Sequence, residues 1–142
     1  MRIVLQRVNS ASVTADGQTF GSIGKGYVAF LGVADGDDEK TAEKLADKIA
    51  RLRIFADESG KTNLSAAEVG GEILVVSQFT LTAGLSSNRP SFSGAAAPER
   101  AKALYECFLS RCEGRFARVE QGKFAAHMHV FADNDGPFTL VL

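Results

Sequence analysis

The chain has 142 residues, 45% of them hydrophobic and 23% charged, with 14 glycines and no tryptophan. That is the size and make-up of one globular unit, residues 1–142, whose core buries about two thirds of the unfolded surface; it excludes a disordered chain and removes any need for disulfide or metal staples. A formal net charge of -1 leaves no broad positive field for non-specific nucleic-acid binding, so any RNA or DNA partner has to be gripped locally.

The opening M-R-I-V-L-Q-R-V has no apolar run of signal-peptide length, and no stretch approaches about 18 apolar residues, so neither a secretion signal nor a membrane span is expected. Residues 2–8 and 11–15 carry β-branched, strand-like patterning, and Ala15-Asp16-Gly17-Gln18 holds the Asp-Gly signal of a tight hairpin. Gly21 to Gly26 is glycine-rich but lacks the G-K-[ST] of a phosphate loop and leads into a strand, Tyr27 to Val33; it reads as a turn between strands. Asp37 or a neighbouring acid caps a helix over 38–51, with Ala42, Leu45, Ala46, Ile49 and Ala50 on its apolar face.

A short strand at 53–55 and a loop at 57–61 precede the most informative stretch, Glu72 to Thr82. Ile73 to Val76 reads as a buried strand that turns polar at Ser77-Gln78-Phe79-Thr80. Backbone N–H groups that leave a sheet there need partners from side chains, water or a ligand. A glycine- and serine-rich loop of about fifteen residues follows, and loops of that length inside a compact unit tend to be functional. It carries Arg89, a suitable contact for phosphate or carboxylate. A second helix starts near Pro98 and stops at Gly114, with Leu104, Tyr105, Phe108, Leu109 and Cys112 inward. Cys107 and Cys112 stand about 140° apart on it, placed for packing rather than pairing, and a reducing cytoplasmic setting is expected. Strands near 115–120, 123–131 and 137–142 close the chain, with a turn at 133–137. The order βββ-α-ββ-α-βββ describes an α+β fold of largely antiparallel sheets with two main helices.

Few side chains offer chemistry on their own. The only histidines are His127 and His129; no G-x-S-x-G elbow accompanies Ser77. On a strand, His127 and His129 share one face and suit two metal ligands, but no third is evident, and no cofactor or metal is expected. Pro137 fits only a strand start or edge, and the isomer of Gly136-Pro137 stays open.

Taken together the motifs resemble the D-aminoacyl-tRNA deacylases over essentially the full chain. Gln6-Arg7-Val8-Asn9-Ser10-Ala11-Ser12-Val13 matches Q-R-V-x-x-A-S-V, Ser77 to Leu81 matches S-Q-F-T-L, and Asn134 to Thr139 matches N-x-G-P-[VF]-T. Phe138 stands where valine is commoner. The resemblance implies a homodimer, with active sites at the subunit interface, that hydrolyses the ester joining a D-amino acid, or glycine, to the 3′ end of tRNA, and that takes no DNA partner. Gly136-Pro137 then corresponds to a Gly-cisPro pair inserted into the partner's site, with Asn134 in the same motif, Arg7 orienting the pair, and Phe124 and Met128 lining the pocket for the terminal adenosine and aminoacyl group. Without an activating base near Ser77 to Thr80, catalysis is expected to rest on backbone N–H groups, of Gln78 and Phe79 first, aimed at a developing oxyanion, with Thr80 as nucleophile in second place. The alternatives are a non-catalytic module that binds RNA 3′ ends, a metal hydrolase through the two histidines, and a stand-alone relative of synthetase-linked editing domains.

Overall fold

A computed structural model describes residues 1–142. Its centre is a long first strand, β1 (Arg2–Ala15), where two shorter strands were expected. The polar pair Asn9-Ser10, exposed on its outer side, interrupts the apolar pattern but not the backbone. β1 pairs antiparallel with β2 (Gln18–Ile23) along its second half, with β3 (Gly26–Gly32) along its first half, and with β8 (His129–Val141) along most of its length. The Asp16-Gly17 hairpin has both residues at positive φ, as a tight turn of this kind requires.

The sheet continues from β3 to β6 (Glu72–Ser77) and β7 (Val119–Gln121), giving the order β2-β1-β3-β6-β7. These last two pairings are parallel, and each is bridged by one helix: α1 (Glu39–Arg51) between β3 and β6, α2 (Pro98–Cys112) between β6 and β7. Parallel neighbours need such a crossover. The result is a sheet-dominated α+β fold with a curled, barrel-like sheet and two main helices, as the element pattern implies. β4 (Phe55–Ala56) and β5 (Thr62–Leu64) form a separate small hairpin around the 57–61 loop.

Strand alternation explains the core. Ile3, Leu5, Tyr27, Ala29, Ile73 and Val75 face the helices and meet Ala46, Ile49 and Phe108; Val8, Val13, Val28, Leu74 and Val76 fill the other face. β6 is buried on both sides, hence its unbroken apolar run. Asp38, the acid beside Asp37, caps α1 by accepting the Thr41 N–H at 2.8 Å. α1 and α2 are clamped by Asp47, whose carboxylate accepts from Arg111 at 2.8 Å and Arg115 at 2.7 Å. No helix is long and apolar enough to cross a membrane.

The C-terminal third departs from expectation. The strand at 115–120 is only Val119–Gln121, and 123–128 is irregular, so β8 begins at His129. The 133–137 turn is instead part of β8. Gln6 pairs with Thr139 and Val8 with Asn134, so the four residues Asp135 to Phe138 stand opposite Arg7 alone. Such a bulge lifts Gly136-Pro137 out of the ladder without ending it. The Gly136-Pro137 bond is cis, and both residues are exposed.

Candidate functional site

β6 leaves the sheet at Ser77, its last pairing being with Leu31. The Gln78 N–H donates to the Leu31 carbonyl at 2.8 Å, and the chain then winds into a single 3₁₀ turn, Phe79–Thr82. The Gln78 amide, expected to be free, is therefore committed to the β3 edge. No side chain caps the turn, and the Phe79 and Thr80 amides at its start have no acceptor within it. Gly32 lets this turn lie against β3: a Cβ there would come 2.8 Å from the Gln78 carbonyl oxygen and 2.9 Å from the Leu81 Cβ.

Ser77, Gln78 and Phe79 form one side of a cleft of about 800 Å3. Leu31, Val33 and Val76 from the strands, Ala95 to Pro98 with Ala101 at the start of α2, and Phe124 to Met128 also line it. No carboxylate, lysine or arginine lines it; His127 is its one ionisable side chain. An apolar pocket without carboxylate, lysine or arginine, with the start of an uncapped turn on one side, suits a flat ring system.

The cleft contains six of the residues singled out by sequence, Ser77, Gln78, Phe79, Phe124, His127 and Met128. Thr80 is exposed outside the lining, and its hydroxyl accepts a hydrogen bond from the Gln78 side-chain Nε2, which is no base. His127 and His129 are not both on a strand, yet their rings meet edge to face with centroids 5.2 Å apart. No group of three or more His, Cys, Asp or Glu side chains converges there. Arg89 sits exposed near the tip of a small excursion closed by the Gly84–Ser91 bridge, away from the cleft lining.

Arg7, Asn134, Gly136 and Pro137 form a second group, outside this cleft. The Arg7 guanidinium donates to the Asp135 carbonyl at 3.2 Å and to the Ile54 carbonyl, pairs with the Asp135 carboxylate at 3.0 Å, and lies 4.8 Å from the centre of the Phe138 ring. Gly136 has φ +123. A Cβ there would stand 3.0 Å from the Phe138 nitrogen and 3.3 Å from Arg7.

Sequence reasoning missed Phe92, which lines the cleft and meets Phe79 edge-on at 5.0 Å, and the small residues Ala95 to Ala97 that leave its mouth wide. The available signal was the run G-A-A-A-P before α2, too small in side chain to fill a core.

The family described as D-Tyr-tRNA(Tyr) deacylase matches residues 4–142. A D-aminoacyl-tRNA deacylase of Lactobacillus acidophilus is 54% identical over 100% of this chain and 99% of its own length. Another, from Thermotoga petrophila, is 50% identical over 100% of this chain and 96% of its own. A solved structure named c-Myc DNA Unwinding Element Binding Protein is 41% identical, with a TM-score of 0.94 over 100% of this chain and 97% of that one. A probable eukaryotic D-amino acid tRNA deacylase, 16% identical, shares the fold with a TM-score of 0.87 over 99% and 97% of the two chains. The chain is thus an enzyme of the class of ester hydrolases that act on aminoacyl-tRNA. It belongs to the D-Tyr-tRNA(Tyr) deacylase family.

Proposed function

We propose that the chain hydrolyses the ester between a D-amino acid and the 3′ end of tRNA, and the corresponding glycyl ester, in the cleft beside Phe79. One observation carries the reading: an uncapped 3₁₀ turn begins at the edge of a cleft without carboxylate, lysine or arginine, and no hydrogen bond joins the one histidine of the lining, His127, to the Ser77 hydroxyl. The Phe79 amide, with that of Thr80 beside it, is the donor to the developing oxyanion. One such donor is typically worth about 2.7–4 kcal/mol, roughly a hundred- to thousandfold in rate. An aminoacyl ester is already activated, so a positioned water suffices as the attacking oxygen, with the ribose 3′-oxygen as leaving group and the adenosine 2′-hydroxyl placed to orient the water. Ser77 and Gln78 then shape the donor end, and Phe124 and Met128 hold the adenosine and aminoacyl group.

In this proposal the enzyme works as a cytoplasmic homodimer. Asn134, Gly136 and Pro137 project from the β8 bulge into a partner's cleft, and Arg7 holds the bulge in place. Carbonyls held on rigid backbone reject the L side chain by collision; a thousandfold preference needs about 4 kcal/mol. Glycine, with no side chain, collides with nothing. Arg89 is a further contact to the RNA. The 41% identical structure is named for a DNA element, but the formal net charge of -1 favours a partner gripped by its end over one held along its backbone.

Deacylation of D-Tyr-tRNA, Gly-tRNA and L-Tyr-tRNA by the purified chain tests the proposal. Release of D-tyrosine and glycine with the L-ester spared is expected, and activity should survive chelation and the His127→Ala/His129→Ala double change. Tight binding of tRNA 3′ ends with no release of any amino acid would leave the non-catalytic module.

A further inference from the structure

Beside the cleft lies a second groove of about 470 Å3, formed by Phe20 of β2, Lys102, Tyr105 and Glu106 of α2, and residues 121–124. The two hollows run along the same pair of elements. Pro98 and Ala101 face the cleft, and the next positions of α2 face the groove. Phe124 belongs to both and rests on Tyr105, with ring centroids 5.6 Å apart. It is a sill between an uncharged pocket and a groove that carries two lysines.

Phe20 is 41% exposed, and the Lys123 ammonium stands 5.5 Å from the centre of its ring. An exposed aromatic face beside cations is how proteins hold single-stranded nucleic acid, the ring stacking on a base and the cations meeting phosphates. Both lysines have acidic neighbours, Asp16 at 2.7 Å from Lys123 and Glu106 at 3.8 Å from Lys102. These pairs are solvent-exposed, weak, and readily exchanged for a phosphate.

We propose that this groove takes the unpaired 3′ strand of tRNA as it leaves the cleft, with phosphates on Lys102 and Lys123 and a base stacked on Phe20. The proposal rests on the deacylase reading and adds the path of the strand beyond the terminal adenosine. It also accounts for tRNA binding by a chain without net positive charge, since two cations at one groove act locally.

The test compares D-Tyr-tRNA with 3′-(D-tyrosyl)-adenosine, which ends before the groove, as substrates of the wild type, Phe20→Ala and Lys102→Glu/Lys123→Glu. For tRNA, KM should rise about tenfold in each variant with kcat unchanged. The double variant should also show a salt dependence of log KM shallower by about 0.7 for each phosphate it no longer neutralises. The adenosine ester should react as in the wild type, and Asp16→Asn should lower KM for tRNA. Unchanged KM for tRNA, or an equal loss on the adenosine ester, overturns the proposal. If the wild type cleaves neither substrate, it is the deacylase reading that fails. The groove is then judged by binding of uncharged tRNA with and without its unpaired 3′ nucleotides: a wild-type preference for the intact end that the double variant loses supports it, and no such difference overturns it.

Discussion

Gly32→Ala places a methyl group where the turn bearing Phe79 crosses β3. The new Cβ would lie 2.8 Å from the Gln78 carbonyl oxygen and 2.9 Å from the Leu81 Cβ. Carbon atoms pack comfortably at about 3.5–4.0 Å, so the turn has to retreat by roughly 0.5–1 Å. Overpacking of this kind costs about 1–3 kcal/mol, and for a chain of this length each kcal/mol lowers Tm by roughly 3–4 °C. If catalysis rests on the Phe79 amide, a displacement of about 1 Å costs on the order of a hundredfold in rate. Single-turnover deacylation of D-Tyr-tRNA well below Tm measures this loss, with Asp47→Asn as the comparison. Asp47 clamps the helices away from the cleft, so its loss lowers Tm and leaves the rate alone. Full activity in Gly32→Ala, or an equal loss in Asp47→Asn, would refute the argument that the backbone position of this turn sets the rate.

Ser77→Ala and Thr80→Ala should each keep turnover within about tenfold of wild type, because neither hydroxyl is hydrogen-bonded to a base that would activate it; abolished turnover in both, with tRNA binding and fold intact, would show side-chain chemistry. Gly136→Val should abolish the D-over-L preference or the activity with it, since φ +123 and the 3.0 Å approach to the Phe138 nitrogen leave no place for a side chain; retained rates on both enantiomers and an unchanged preference count against rejection by rigid backbone at Gly136-Pro137. Hydrogen bonding by Arg111, and the charges of Arg111 and Arg115, hold the Asp47 carboxyl at about 2, below its ordinary 3.8. Its contribution to stability is complete above the ordinary value and lost as pH falls towards 2, so between about pH 4 and 2 the Tm of wild type should fall more steeply than that of Asp47→Asn. Burial pushes the Cys112 thiol up to about 12; an alkylating reagent at about pH 8 should modify Cys107 in the native protein and Cys112 only at the rate of unfolding.

Much of the fold is legible in the periodicity. The apolar stripe of α1, Pro98 at the start of α2 and the doubly buried β6 each follow from local pattern. The β8 bulge does not. Asp-Asn-Asp-Gly-Pro has the composition of a turn, and only pairing with β1 on both sides of it makes it a swelling within one strand. The site divides in the same way. Ser77 to Phe79 stand out because a buried strand turns polar, but which amide stays free depends on Leu31, more than forty positions earlier in the chain. Phe92 and the alanines before α2 gave no periodic signal, because they line empty space rather than fill a core.

The periodicity of the sequence alone determined an α+β fold with two main helices, and the motifs S-Q-F-T-L and N-x-G-P marked two short stretches as candidates for the chain's chemistry. These are properties of short runs of residues, written into neighbouring side chains. Tertiary structure decided that the two stretches lie apart on a single chain, that the Gln78 amide belongs to the sheet, and that Phe124 divides an uncharged cleft from a groove with two lysines. Such facts arise from contacts between elements distant in sequence, where hydrogen-bond register and close backbone approach, not local preference, determine which group is left to meet a substrate.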